Sequence, residues 1–244
     1  MGLVVNKLLA FDEVSREITI VASSSYHDHC VLKTCHVIVP NNHVIKSSDK
    51  DHVTGSNHWP MRIVILSAAT DGKVAFWDIT ETCKEFFSTN SSTTTSSSVN
   101  EKESSDTYIL VTGGDDNAVH VSLVTMATND TCMKVKVIAN GKNTSAHSAQ
   151  ITGAWFVSPD YVVTASIDQR ISVWKLTVEN TKIQLIMTCC VFTSVSDVAN
   201  IDTWKESGHY CLFVSGNGME VFHLETYGQS VDPVLTDILT KIVT

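Results

Sequence analysis

Short apolar runs alternate with turn residues along most of this chain, and three of them repeat. Ser67 to Trp77 (Ser-Ala-Ala-Thr-Asp-Gly-Lys-Val-Ala-Phe-Trp), Thr112 to Ser122 and Thr164 to Trp174 align without gaps. In each, a hydroxyl residue stands four positions before an Asp, and Trp or Ser stands six positions after it. The last positions, 77, 122 and 174, are 45 and 52 residues apart, and a looser copy, Val214 to His223, follows about 48 residues later. Each copy reads as two short strands joined by a tight turn. Before the turn lies an apolar run such as Ile63-Val64-Ile65-Leu66 or Tyr108-Ile109-Leu110-Val111; after it the residues alternate, as in Ile171-Ser172-Val173-Trp174. Asp-Gly and Asp-Asn supply turn residues that tolerate positive φ or bond their own backbone.

Three stretches depart from this pattern. Residues 3–39 contain one good strand, Glu17 to Ser23, and suggest a partial fifth copy without the Asp and Trp. Residues 88–107 are a Ser/Thr-rich insertion that cannot bury enough apolar surface to offset its ordering entropy, so a disordered surface loop is expected there. Near the end, Val231, Val234, Leu235, Ile238, Leu239, Ile242 and Val243 recur at helical spacing, with Asp232 as a cap and Pro233 at the first helical position. This predicts an amphipathic helix over 231–243, after β structure spanning 1–230.

Composition narrows the class. The 244 residues carry 17 Lys and Arg against 26 Asp and Glu, a formal net charge of −9, and 43% are hydrophobic against 18% charged. Such a chain buries a core and suits one all-β domain or two small ones. The acidic balance opposes a broad phosphate-binding surface, since polyanion affinity comes mainly from Lys and Arg displacing counterions. No apolar run is long enough for a membrane span, and the opening Met1-Gly2-Leu3-Val4-Val5-Asn6-Lys7 does not read as a signal peptide. Seven cysteines, an odd number without paired CxxC spacing, then read as reduced thiols of a cytoplasmic protein. The three sequons, at Asn90, Asn129 and Asn143, matter only on a secretory path.

A period of about 40–45 residues with a Trp closing the third strand resembles the WD40 pattern, four strands to each propeller blade. His147 lies 21 residues before Asp168 and takes the place of the histidine in the WD40 Gly-His pair. His147, Thr164, Asp168 and Trp174 would then form a buried structural tetrad, with Ser67, Asp71 and Trp77, and Thr112 and Asp116, as the matching positions of the other copies. The residue types suit a relay of hydrogen bonds: indole N–H to hydroxyl, hydroxyl to imidazole, imidazole N–H to carboxylate. Ser/Thr, His and Asp are also the types of a nucleophile triad. A triad occurs once, whereas this spacing recurs, which favours structure over catalysis. The resemblance implies an all-β, WD40-like β-propeller of about four to five blades. Since propellers close with typically 4–8 blades, a partial ring or a fragment is expected.

Two stretches are more specific. Ser158 to Arg170, ending in Trp174-Lys175-Leu176, and Asp197 to Trp204, followed by Gly208-His209 and Gly216 to Val221, resemble the C-terminal part of the WD repeat-containing protein 6 family; residues 62–80 are compatible. The resemblance covers about residues 145–224 of a family whose members are much longer. It implies a non-catalytic accessory subunit, without a cofactor, that binds an FtsJ-like, S-adenosylmethionine-dependent methyltransferase. That enzyme modifies the ribose 2′-hydroxyl of the tRNA wobble nucleotide, and tRNA would be met through the complex; no membrane is involved. The residues agree that the chain is not the methyltransferase: Gly216-Asn217-Gly218 lacks the third glycine and the following helix of a nucleotide-binding βα unit.

Two other readings stand beside it. One is a WD40 protein-interaction scaffold unrelated to tRNA, since the repeat alone supports only a scaffold. The other is zinc binding: His27, His29, Cys30, Cys35 and His36 lie within ten residues and are ligand types that suit zinc, though their spacing matches no zinc module.

Overall fold

The computed structural model describes residues 6–40, 61–88, 104–128, 133–179, 182–206, 209–225 and 234–237. The chain divides into two compact units, Met1–Asp106 with Met126–Val135, and Thr107–Thr125 with Lys136–Thr244. The protein is all-β, built of several antiparallel sheets, as a set of WD40-like blades requires.

In the first unit β1 (Asn6–Phe11) and β2 (Ile18–Ser24) form a hairpin, and β3 (Val31–Pro40), β4 (Met61–Ala69) and β5 (Val74–Asp78) form a three-stranded sheet in that order. The partial copy at 3–39 thus supplies a hairpin and the first strand of the next sheet. β4 alternates as a half-buried strand should: Arg62, Val64 and Leu66 are buried, with Ile63 and Ile65 between them less so. Buried Arg62 is matched by Asp78, whose Oδ2 accepts from its Nη1 at 2.6 Å.

The helix α1 (Thr80–Ser88) follows β5, where the β pattern predicts no helix. Its start has a local cause. Asp78 Oδ1 accepts from the Thr80 N–H at 3.1 Å, and Glu81 adds an acidic group to the first turn, where the helix dipole favours it. Of the insertion expected at 88–107, Ser88 ends this helix and 104–107 begin the next strand; 89–103 lie outside the described residues.

β6 (Ser104–Gly113), β7 (Val119–Thr128) and β8 (Met133–Asn143) form a second three-stranded sheet, mostly in the second unit. The third repeat yields the full four-stranded blade: β9 (Ile151–Ser158), β10 (Tyr161–Ser166), β11 (Arg170–Glu179) and β12 (Lys182–Phe192), in spatial order β12-β11-β10-β9. β10 is buried from Val162 to Ser166 because both of its faces are covered. Val162 packs with Trp174, Leu176, Val119 and Val121, whereas Val163 and Ala165 pack with Ile171, Val173, Ile201 and Val214. That is why the run Tyr161-Val162-Val163-Thr164-Ala165-Ser166 is continuously apolar or hydroxylic rather than alternating.

β13 (Ser196–Glu206), β14 (His209–Glu225) and β15 (Val234–Asp237) complete the second unit. The fourth copy departs from the expected hairpin, since β14 continues through Gly216-Asn217-Gly218 and pairs β13 with its first half and β15 with its second. Gly153 lets β9 and β13 approach closely: a Cβ there would lie 2.6 Å from Ile201 Cγ1.

The helix expected over 231–243 is corrected at 234–237, which form strand β15 with Phe222↔Asp237 and Glu225↔Val234 as register ends. An open strand edge offers β15 a row of backbone partners that outweighs helix periodicity, and Pro233, lacking an N–H, sits just before it. The rest of 231–243 lies outside the described residues.

Candidate functional site

The three aligned repeats fold into the same turn. Gly72 N–H donates to Ala69 O at 3.1 Å, Asn117 N–H to Gly114 O at 3.2 Å, and Gln169 N–H to Ser166 O at 3.1 Å. In each the residue after the Asp is left-handed, with φ of 73° at Gly72, 61° at Asn117 and 63° at Gln169. Gly and Asn take this conformation readily, while Gln169 takes it at a cost of about 1–2 kcal/mol. In the first and third copies the turn aims the Asp carboxylate at the chain ahead of the neighbouring strand, where it accepts from the N–H of Asp28 and of Ser148.

In the third blade His147, Thr164, Asp168 and Trp174 come together. Trp174 Nε1–H donates to Thr164 Oγ1 at 2.8 Å, the Thr164 hydroxyl donates to His147 Nε2 at 2.8 Å, and His147 Nδ1–H donates to Asp168 Oδ1 at 3.3 Å. Thr164 and Trp174 are fully buried and His147 is nearly so. Asp168 also accepts from the backbone N–H of Ser148 at 2.7 Å and of Arg170 at 3.0 Å. Burial works against its negative charge, but these donors outweigh it, so its pKa lies below the usual value.

The same relay stands in the first unit, completed by a residue that spacing alone did not assign to it. Trp77 Nε1–H donates to Ser67 Oγ at 2.7 Å, Ser67 Oγ bonds His27 Nε2 at 2.8 Å, and His27 Nδ1 bonds Asp71 Oδ2 at 3.2 Å. The Asp28 N–H reaches the same carboxylate at 3.3 Å, as Ser148 does in the third blade. His27 lies 44 positions before Asp71 rather than 21, because residues 41–60 intervene between β3 and β4. Its candidacy as a zinc ligand is thereby corrected: it is 3% exposed and both ring nitrogens are engaged. His29, Cys30, Cys35 and His36 are exposed, and among the described residues no three His, Cys, Asp or Glu side chains are grouped to hold a metal. Cys35 and His36 are successive residues of β3 and so point to opposite faces of the sheet.

The second repeat corrects the expectation for Thr112 and Asp116. Asp116 Oδ2 is bonded by His120 Nε2 at 2.8 Å and Lys142 Nζ at 2.9 Å, half-exposed, and these two donors hold its carboxyl far below the usual range. Ser122, in the place of the Trp, bonds Asn140 instead. Among the described residues no hydrogen bond joins Thr112 to Ser122 or to Asp116, and no second relay is seen there.

The fourth blade uses a carboxylate differently. Glu220 accepts from the Thr193 hydroxyl and from the Ser194 N–H, the latter at 2.8 Å, tying β14 to the segment that leads into β13.

A pH dependence follows from the third relay. Neutral His147 must accept at Nε2, because the Thr164 hydroxyl donates there; burial lowers its pKa, and Asp168 opposes this only in part. A histidine lowered in the fold binds its proton more readily when unfolded. Its stabilisation is therefore complete above about pH 6.5 and lost as pH falls from there through the folded value. Urea midpoints measured from about pH 7.5 to about pH 5.5 are expected to fall, and to fall less in His147→Gln. Equal slopes in the two proteins would refute this linkage.

No family model matches the chain. It is similar to curated relatives, each named "tRNA (34-2'-O)-methyltransferase regulator WDR6". Those of Pongo abelii and Homo sapiens are 27% identical over 251 residues, and that of Bos taurus is 27% identical over 252 residues. The similarity covers 89% of this chain and 20% of each relative, so the chain spans about a fifth of the length of the relatives it matches. The similarity to proteins of this name extends well beyond residues 145–224.

Proposed function

We propose that this chain, a segment homologous to WDR6 regulators, is a non-catalytic WD40-type platform for tRNA modification in the cytoplasm. It serves as an accessory subunit for an FtsJ-like methyltransferase that modifies the ribose 2′-hydroxyl of the tRNA wobble nucleotide. Kinship along 89% of the chain with proteins named as regulators of tRNA (34-2'-O)-methylation carries the reading. The relays support a structural role for the Ser/Thr-His-Asp sets. The Thr164 hydroxyl gives its proton to His147 and receives the Trp174 indole N–H, so its oxygen is committed inside a dry core and cannot meet a substrate.

The platform acts by positioning. Blades stiffened by such relays hold their loops in fixed places, and a fixed surface that engages the enzyme lowers the entropy cost of bringing the reacting groups together. The methyl donor and the chemistry belong to the enzyme.

Nucleoside mass spectrometry of tRNA from cells depleted of this gene product tests the reading. Selective loss of 2′-O-methylation at the wobble nucleotide, restored by re-expression, is expected. Unchanged wobble methylation would overturn it and favour a WD40 scaffold unrelated to tRNA.

A further inference from the structure

The hairpin β1–β2 carries an apolar face that nothing among the described residues covers. Its register sets Leu9 opposite Ile20 and Phe11 opposite Ile18. Directly opposed side chains share a face, so the four lie together. In that order they are 52%, 56%, 61% and 66% exposed. The other face, with Leu8, Ala10 and Ala22, is half-buried. Large apolar side chains more than half exposed occur elsewhere, but among the described residues no other sheet gathers four of them on one face.

What fits such a face is another sheet. Lys7 to Asp12 (Lys-Leu-Leu-Ala-Phe-Asp) align with Lys73 to Asp78 (Lys-Val-Ala-Phe-Trp-Asp), which puts Phe11 in the place of Trp77 and, through the repeat, of Trp174. Trp174 is fully buried, and Val119 and Val121 of a neighbouring sheet pack with it. The charges of the hairpin say which sheet. Lys7 lies at one end of the face, on the same side of β1 as Leu9 and Phe11. The turn at the other end carries Asp12, Glu13 and Glu17 against Arg16 alone. Turned over and run antiparallel, a second copy sets each Lys7 against the other's acidic turn, twice by symmetry. A parallel arrangement would oppose like charges.

We infer that the β1–β2 face is a self-association surface: two chains pair about a two-fold axis, apolar faces together and strands antiparallel. The inference is independent of the proposed function. Four side chains from each copy make an interface at the small end of the specific range, so a weak dimer is expected, with Kd on the order of 10–100 µM.

Sedimentation equilibrium of the purified chain from about 1 to about 500 µM tests it, in about 0.15 M salt to screen the repulsion between two chains of net charge −9. A mass that rises to twice that of the chain and stops there is expected. Phe11→Ser and Ile20→Ser are each expected to raise Kd about tenfold or more. Ile186→Ser, at a 51%-exposed position in the second unit, is expected to leave it unchanged. Unaltered thermal unfolding shows that the variants fold; should the serine variants not fold, the charges carry the test. Lys7→Glu and Glu13→Lys each weaken association, and an equal mixture of the two associates more tightly than either, because one end of the mixed pair is attractive and neither is repulsive. A monomer throughout the range overturns the inference and leaves the face to a sheet outside this chain. A mass that grows without limit overturns it too, since a two-fold pairing closes. A dimer indifferent to the substitutions at Lys7, Phe11, Glu13 and Ile20 forms elsewhere, and the inference fails.

Discussion

Trp174→Ala is expected to destabilise the second unit by about 3–5 kcal/mol, the usual range for removing a large aromatic side chain from a core that cannot collapse. Trp174 is 0% exposed, and its neighbours come from two sheets: Val119, Val121 and Leu123 on β7, and Val162 and Leu176 within its own blade. Strands hydrogen-bonded into separate ladders cannot both close on the space it leaves, so the cavity term persists. Trp174→Phe separates the contributions. It keeps most of the volume but removes the N–H that Thr164 accepts at 2.8 Å, and about 1–2 kcal/mol is expected. Chemical denaturation of the three proteins checks both figures. A loss below about 1 kcal/mol in Trp174→Ala would mean that the indole does not join the two sheets.

Thr164→Val is the second large effect, expected at about 2–4 kcal/mol with almost no change in shape. Thr164 is fully buried at the middle of its relay, accepting from Trp174 and donating to His147. Valine retains the β-branched outline and suits a strand, so neither packing nor propensity explains a loss. What changes is that a buried indole N–H and a buried imidazole nitrogen lose their partners together. Thr164→Ser should recover most of the stability, because Ser67 performs the same double role in the first unit at 2.7 and 2.8 Å. If valine is as stable as serine, the relay contributes nothing.

These effects differ in how far they can be read from residue order. The third relay is legible because His147, Thr164, Asp168 and Trp174 lie on consecutive elements joined by short turns, so their spacing is that of an uninterrupted blade. The relay of the first unit is not. Residues 41–60 stretch the distance from His27 to Asp71, and the nearby His29, Cys30, Cys35 and His36 give His27 the look of a ligand. A signal was nevertheless present, since His27 precedes β3 as His147 precedes β9, one strand before the hydroxyl in both cases. The second repeat misleads in the opposite direction. It keeps the hydroxyl and the Asp but has Ser122 for Trp, and Asp116 turns to His120 and Lys142. Helix α1 was marked by Asp78 with Glu81 three residues later, an order found at helix starts.

Residue order alone determined the strand class, the repeat and its turns, because alternation, apolar runs and Asp-Gly or Asp-Asn pairs act over a few residues. It also carried, over residues 145–224, a resemblance to proteins named WDR6, and the similarity to them reaches 89% of the chain. Tertiary structure decided what depends on partners far along the chain. It chose His27 over a metal role by bringing it to Ser67 and Asp71. It also turned Val234–Asp237 from an expected helix into a strand, since β14 had an edge to offer. The physical reason is common to both: a local pattern fixes which conformations a segment favours by about a kcal/mol, and a buried hydrogen bond or an open strand edge supplied by a distant segment is enough to overrule it.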